Sequence, residues 1–222
     1  MLQLARTKVQ LTPAEQAQLR AAALRDAPEF AHRLASPLDI DRLEQPWFRQ
    51  HRVLEIASSV PFPPRRLHVA AGDGRMRVLT AHIENLRAVA ADDRPGGLEA
   101  EQAAADYAEH ANFWTATHAL GELKIGSFDE IPWFASLDDQ QRGAIEDLRS
   151  RFGQSIRPEQ RSRGDGWVFR SWWVAMRQLI ERELVVPPDG QLRRTDEVRA
   201  ADMPVPAGSH WGFVNGRFVP IG

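Results

Sequence analysis

Cysteine is absent from all 222 residues. That one absence removes thiolate nucleophiles, Cys-ligated zinc, iron–sulfur clusters and disulfides together. A chain without disulfides fits a reducing compartment, and the expected location is cytoplasmic. Lysine is almost absent too, Lys8 and Lys124 being the only two. A Schiff-base mechanism, pyridoxal phosphate chemistry included, would have to use one of them. Long hydrophobic runs are missing. The densest, 172–176, falls far short of the roughly 20 residues of a membrane span. The first residues hold no apolar stretch of signal-peptide length. No charge of one sign dominates. The 28 basic and 30 acidic side chains leave a net charge of −2, which exerts no global pull on nucleic acid or on a membrane surface.

Motifs of known chemistry are missing as well. There is no Walker A sequence, no G-x-S-x-G, no H-E-x-x-H and no calcium loop. Gly72-Asp73-Gly74 opens like a dinucleotide fingerprint, but the sixth position is Arg77, so it reads as a turn between two strands. Ser209 and His210 are adjacent, which carries no weight because triads assemble in space. No cofactor and no metal are expected.

What is abundant is arginine, at 26 residues. Codon bias explains such an excess, and so does a demand for bidentate contacts to anions. Seven tryptophans supply large apolar surfaces. A chain of this length buries most of its apolar area in one large domain or two small ones. The reading is a single domain over residues 1–222, with a helical subregion at 1–60.

Thr12-Pro13-Ala14-Glu15 is a capping box with proline at the first helical position, predicting a helix from Pro13 to about Leu24. Asp26-Ala27-Pro28-Glu29 repeats the signal for a short helix toward Leu34, and 39–45 reads as another turn or two. Pro61, Pro63 and Pro64 form a stiff connector. Leu67 to Ala70 and Met76 to Thr80 read as a hairpin pair around Gly72-Asp73-Gly74. Ile83, Leu86, Val89 and Ala90 mark a short helix. A long helix is predicted over 98–120, closed by Gly121. Another begins near Ser136 and Asp139 and ends at Gly153. Residues 157–166 read as a basic loop. The second long helix is predicted over 167–184, where Phe169, Trp172, Trp173, Met176, Leu179 and Ile180 form a broad apolar face and Arg177 and Glu181 an i,i+4 pair. Asn215-Gly216, between two apolar segments, predicts a C-terminal hairpin. The fold class is α+β, helix-rich, with short antiparallel hairpins.

Candidate functional residues come from the 98–120 helix. Tyr107 and Trp114 lie on one stripe, with His110 and His118 on either side of Trp114. A buried imidazole needs partners, which singles these histidines out. Asp106 and Glu122 stand four residues from His110 and His118. At about 1.5 Å per residue, the two histidines lie too far apart along the axis to clasp one metal. His82 and Glu84 are the only further ligands the sequence suggests. Trp133, fixed by Pro132 in an aromatic loop, is a candidate cover. Trp47 also follows a proline. The leading expectation is a protein that binds a small ligand or a partner subunit through Tyr107, His110, Trp114, His118 and Trp133, with room for homo-oligomers. The alternatives are an enzyme using His110 or His118 as general acid or base and a nucleic-acid binder using Arg157, Arg161 and Arg163.

Overall fold

The computed structural model describes residues 4–58, 65–117, 122–206, 211–214 and 217–220. The Pro61–Pro64 connector, His118, Gly121, Ser209-His210 and Asn215-Gly216 lie outside the described residues. The chain divides into two compact units. One comprises Met1–Ala116 and Val186–Leu192, the other Thr117–Val185 and Arg193–Gly222.

The first unit is built on a five-stranded antiparallel sheet in chain order, β1 (Arg6–Lys8), β2 (Asp39–Leu43), β3 (Arg52–Ser58), β4 (Arg65–Gly72) and β5 (Arg75–Val78). Its first helix, α1 (Pro13–Asp26), starts where the capping box requires. Thr12 Oγ1 accepts from the Glu15 N–H, and Glu15 returns a carboxylate to the Thr12 N–H at 2.8 Å. α2 (Pro28–Ala31) follows, then a short 3-10 turn. Leu19, Ala22, Ala23 and Phe30 pack on Leu54, Ile56, Leu67, Val69, Met76 and Val78. Strand alternation sends Glu55, His68 and Ala70 to the opposite face, where Phe113 of α4 (Glu101–Thr115) lies over His68 with ring centroids 4.7 Å apart. α3 (Ile83–Asp92) runs between β5 and α4. Residues 186–192 return to this unit. Gly190, at φ 75°, fits so closely against Pro95 that a Cβ would stand 2.3 Å from the proline Cγ.

The second unit carries a sheet in the order β10 (Arg193–Ala200), β9 (Gln178–Val186), β8 (Gly166–Ala175), β6 (Leu123–Ile125). β7 (Glu159–Arg163) pairs with the other half of the β8 edge. α5 (Asp139–Phe152) places Ile145 and Leu148 in a core with Ile125, Phe128, Trp172, Val174 and Leu179. Trp211–Val214, β11, pairs antiparallel with Arg217–Pro220, β12.

The helix-rich expectation is corrected. Helix and strand are balanced, at 33% and 32%. The predicted helix over 167–184 is the β8–β9 hairpin. Both faces of this sheet bury side chains, so the apolar residues form a nearly continuous run that helical periodicity also fits. The turn is Met176-Arg177, both at positive φ, 48° and 63°, as a two-residue hairpin of primed type requires. Arg177 does not pair with Glu181; its guanidinium donates to the Met203 and Asp202 carbonyls at 3.0 and 3.3 Å. The expected basic loop is largely β7. Residues 39–45, read as helical, hold β2, whose edges are satisfied by β1 and β3. The 98–120 helix spans Glu101–Thr115, and its end is tied by Ala81 N–H donating to the Thr115 carbonyl at 3.0 Å.

Candidate functional site

The stripe on α4 forms an aromatic box within the first unit. Trp47 meets Tyr107 and His110 edge-on, at 5.3 and 5.8 Å between ring centroids. Phe48 covers Tyr107 and Trp114 at 6.3 and 6.1 Å. The Tyr107 hydroxyl donates to the Gly190 carbonyl at 3.4 Å; burial, with the Asp189 charge, pushes its ionisation upward. His110 Nδ1 donates to the Asp106 carbonyl at 2.6 Å. Burial holds the His110 pKa below its ordinary value, against the opposing pull of that carbonyl and of the Asp106 and Glu109 charges. The Asp106 carboxylate does not orient the ring; it accepts from Gln102 at 2.8 Å. Trp47 and Trp114 have indole N–H groups without an acceptor among the described residues.

The remaining candidates lie elsewhere. Trp133 belongs to the second unit and packs on Phe128 at 5.5 Å. Glu122 accepts from Thr117 and from Arg182. His82 bridges Glu84 at 2.7 Å and the Asp26 carbonyl at 2.6 Å. Arg157, Arg161 and Arg163 pair with Glu159, Glu183 and Asp165, each at 3.3 Å. His110→Ala is expected to cost about 1–3 kcal/mol of stability through lost packing and the lost bond to the Asp106 carbonyl, and to leave any ligand binding at the β2–β3 loop unchanged. Urea unfolding and calorimetric titration of one variant check both halves.

The loop between β2 and β3 makes a different site. Gln45 stitches it from within. Its Oε1 accepts the Trp47 and Phe48 N–H groups at 2.7 and 2.9 Å, and its Nε2 donates to the Phe48 and His51 carbonyls at 3.1 and 3.2 Å. Trp47 and Phe48 anchor the loop in the aromatic box. Asp93, at the end of α3, then takes the Gln50 and His51 N–H groups at 2.6 and 3.0 Å and stands 3.4 Å from His51 Nδ1. Burial would raise the Asp93 carboxyl, but the N–H groups of Gln50, Arg49 and His51 and the imidazole outweigh it and hold the pKa low. His51 is itself 6% exposed. It lies against Gly72, where an added Cβ would meet the ring at 2.6 Å and the Gln50 carbonyl at 2.8 Å. Only glycine admits the imidazole here.

Two pockets meet at this histidine. The first, about 510 Å³, lies against α1 and is lined by Glu15, Arg42, Phe48, Arg49, His51, Arg52, Arg75 and Met76 among others. The second, about 370 Å³, is lined by His51, Gly72, Asp73, Arg75, Arg77 and Asp92. Neither is lined by Tyr107, His110 or Trp114. Arg52 is neutralised by the capping-box residue Glu15. Among the described residues, the guanidinium groups of Arg42, Arg49 and Arg75 form no ion pair or side-chain hydrogen bond. That is unusual in a chain whose other arginines mostly face carboxylates.

Sequence reading missed this site. Its only signal was the arginine excess with its suggestion of bidentate anion contacts. The chain matches no protein-family model, no curated protein and no solved structure. Among the described residues no helix is long and apolar enough to cross a membrane.

Proposed function

We propose that the protein binds a small anionic molecule in the groove beside His51. This keeps the small-ligand class expected from the sequence and moves the site from the α4 stripe to the β2–β3 loop. The observation that carries it is the convergence of three unpaired guanidinium groups, Arg42, Arg49 and Arg75, on one pocket beside a histidine fixed by a buried carboxylate. A volume of about 510 Å³ suits a small molecule. Planar guanidinium forks recognise carboxylate and phosphate oxygens in pairs. The cysteine-free composition supports a reducing, cytoplasmic setting.

The test is titration calorimetry and thermal shift with inorganic phosphate and citrate. An anion should stabilise the wild-type protein in proportion to its affinity. The Arg42→Gln, Arg49→Gln, Arg75→Gln triple variant should lose about 100-fold or more in affinity, since hydrogen bonds to charged groups are worth about 1.5–3 kcal/mol each. Its own stability should change little, because exposed charges contribute about 0–1 kcal/mol. Absence of any anion-induced shift in the wild type, or a full shift in the triple variant, overturns the reading.

A further inference from the structure

The two pockets differ in charge, and the difference describes a ligand with two kinds of end. Resting on the anion-binding reading, we infer that the ligand is a phosphorylated polyol, its phosphate in the α1-side pocket and its hydroxyl groups in the α3-side pocket. In the α1-side pocket four arginines face the single carboxylate of Glu15. That surplus exceeds what one monocarboxylate needs and matches a phosphate dianion with three terminal oxygens. The α3-side pocket is balanced, Arg75 and Arg77 against Asp73 and Asp92, and Arg77 is already bound to Asp92 at 3.1 Å. A second phosphate would gain no net attraction there.

Asp73 gives the α3-side pocket its chemistry. It stands in the β4–β5 turn at φ 47°, and among the described residues its carboxylate has no side-chain partner. An ionised carboxylate only accepts hydrogen bonds, so it selects a donor-bearing ligand group, which hydroxyls supply. His51, Gly72 and Arg75 line both pockets, so one molecule can touch both. Arg75 is placed at the junction, where phosphate and polyol join. The His51 ring turns its Cδ2 edge to Gly72 and Nδ1 to Asp93, leaving Nε2 as the nitrogen for the ligand.

The experiment compares inorganic phosphate with ribose 5-phosphate, glucose 6-phosphate and glycerol 3-phosphate, and with ribose, glucose and glycerol, by titration calorimetry on the full chain. At least one phosphorylated polyol should bind 10-fold or more tightly than inorganic phosphate, and its unphosphorylated parent should give no measurable binding. Asp73→Gly suits the positive φ of the turn, so it should melt like the wild type. It should bind phosphate unchanged and bring the phosphorylated polyol down to the affinity of phosphate. If none of the three exceeds phosphate, or if Asp73→Gly keeps the advantage, the polyol assignment falls and the anion site stands. If neither phosphate, citrate nor any phosphorylated polyol binds, the anion site itself falls.

Discussion

Replacing Glu55 by glutamine is expected to cost about 3 kcal/mol of stability at pH 7, and nothing below about pH 2. Glu55 sits on β3 with its side chain 2% exposed. Arg6 reaches its Oε1 at 2.6 Å and its Oε2 at 3.4 Å. His68, directly opposite on β4, stands at 3.2 Å, and Arg66 at 3.8 Å. Burial works to raise this carboxyl, but the hydrogen bond and charge of His68, then Arg66 and Arg6, bring it down to about 2 from 4.5. A folded-state value below the unfolded one means that stabilisation is complete above about pH 4.5 and disappears as pH falls through 2. Urea unfolding of wild type and Glu55→Gln across that window should give two curves that converge at the acid end. A constant offset down to pH 2 would assign the loss to packing instead.

Arg182→Ala should be as damaging, at about 3–5 kcal/mol. Arg182 is 1% exposed and forks onto Asp196, its register partner on β10, at 2.8 and 2.9 Å. Its guanidinium carbon lies 4.5 Å from the centre of the Trp173 ring, and Nη2 also reaches Glu122 at 3.4 Å. Truncation leaves Asp196 without its main partner and opens a void beside the indole. Arg182→Met with Asp196→Asn should recover much of the loss, because the apolar stem is restored and Asp196 is no longer a stranded charge, which leaves only Glu122, still held by the Thr117 hydroxyl, without its cation. The double variant's urea midpoint decides. If it is no higher than that of Arg182→Ala, the loss is not electrostatic.

Features encoded within a few residues were legible from the chain alone. The capping box at Thr12 and Glu15 placed α1, and the β4–β5 hairpin showed in its alternation and its Asp73-Gly74 turn. The β8–β9 hairpin was illegible for a physical reason. Burial on both sides of the sheet erases the period of two, and Met176-Arg177 contains none of the residues that normally announce a turn at positive φ. β3 was obscured because Glu55 is as buried as Leu54 and Ile56, which no rule about charge would anticipate. On α4 the alignment of Tyr107, His110 and Trp114 was read correctly, while their neighbours Trp47 and Phe48 could not be. The groove gathers Arg42, Arg49, His51 and Arg75 from β2, the β2–β3 loop and β5, and Asp93 from the end of α3 holds that loop. His51 and Asp93 are 42 residues apart, and spacing holds no trace of such a meeting.

The return of residues 186–192 to the first unit has a consequence during synthesis. Tyr107 has no Gly190 carbonyl to donate to, and Pro95 no glycine to rest against, until the whole of β9 and the residues just after it have left the ribosome. At about 5–20 residues per second, the earlier part of this unit waits several seconds, its aromatic rings all present but the Tyr107 hydroxyl still without its acceptor. Finishing this unit is therefore coupled to the making of residues 117–185, which belong to the other.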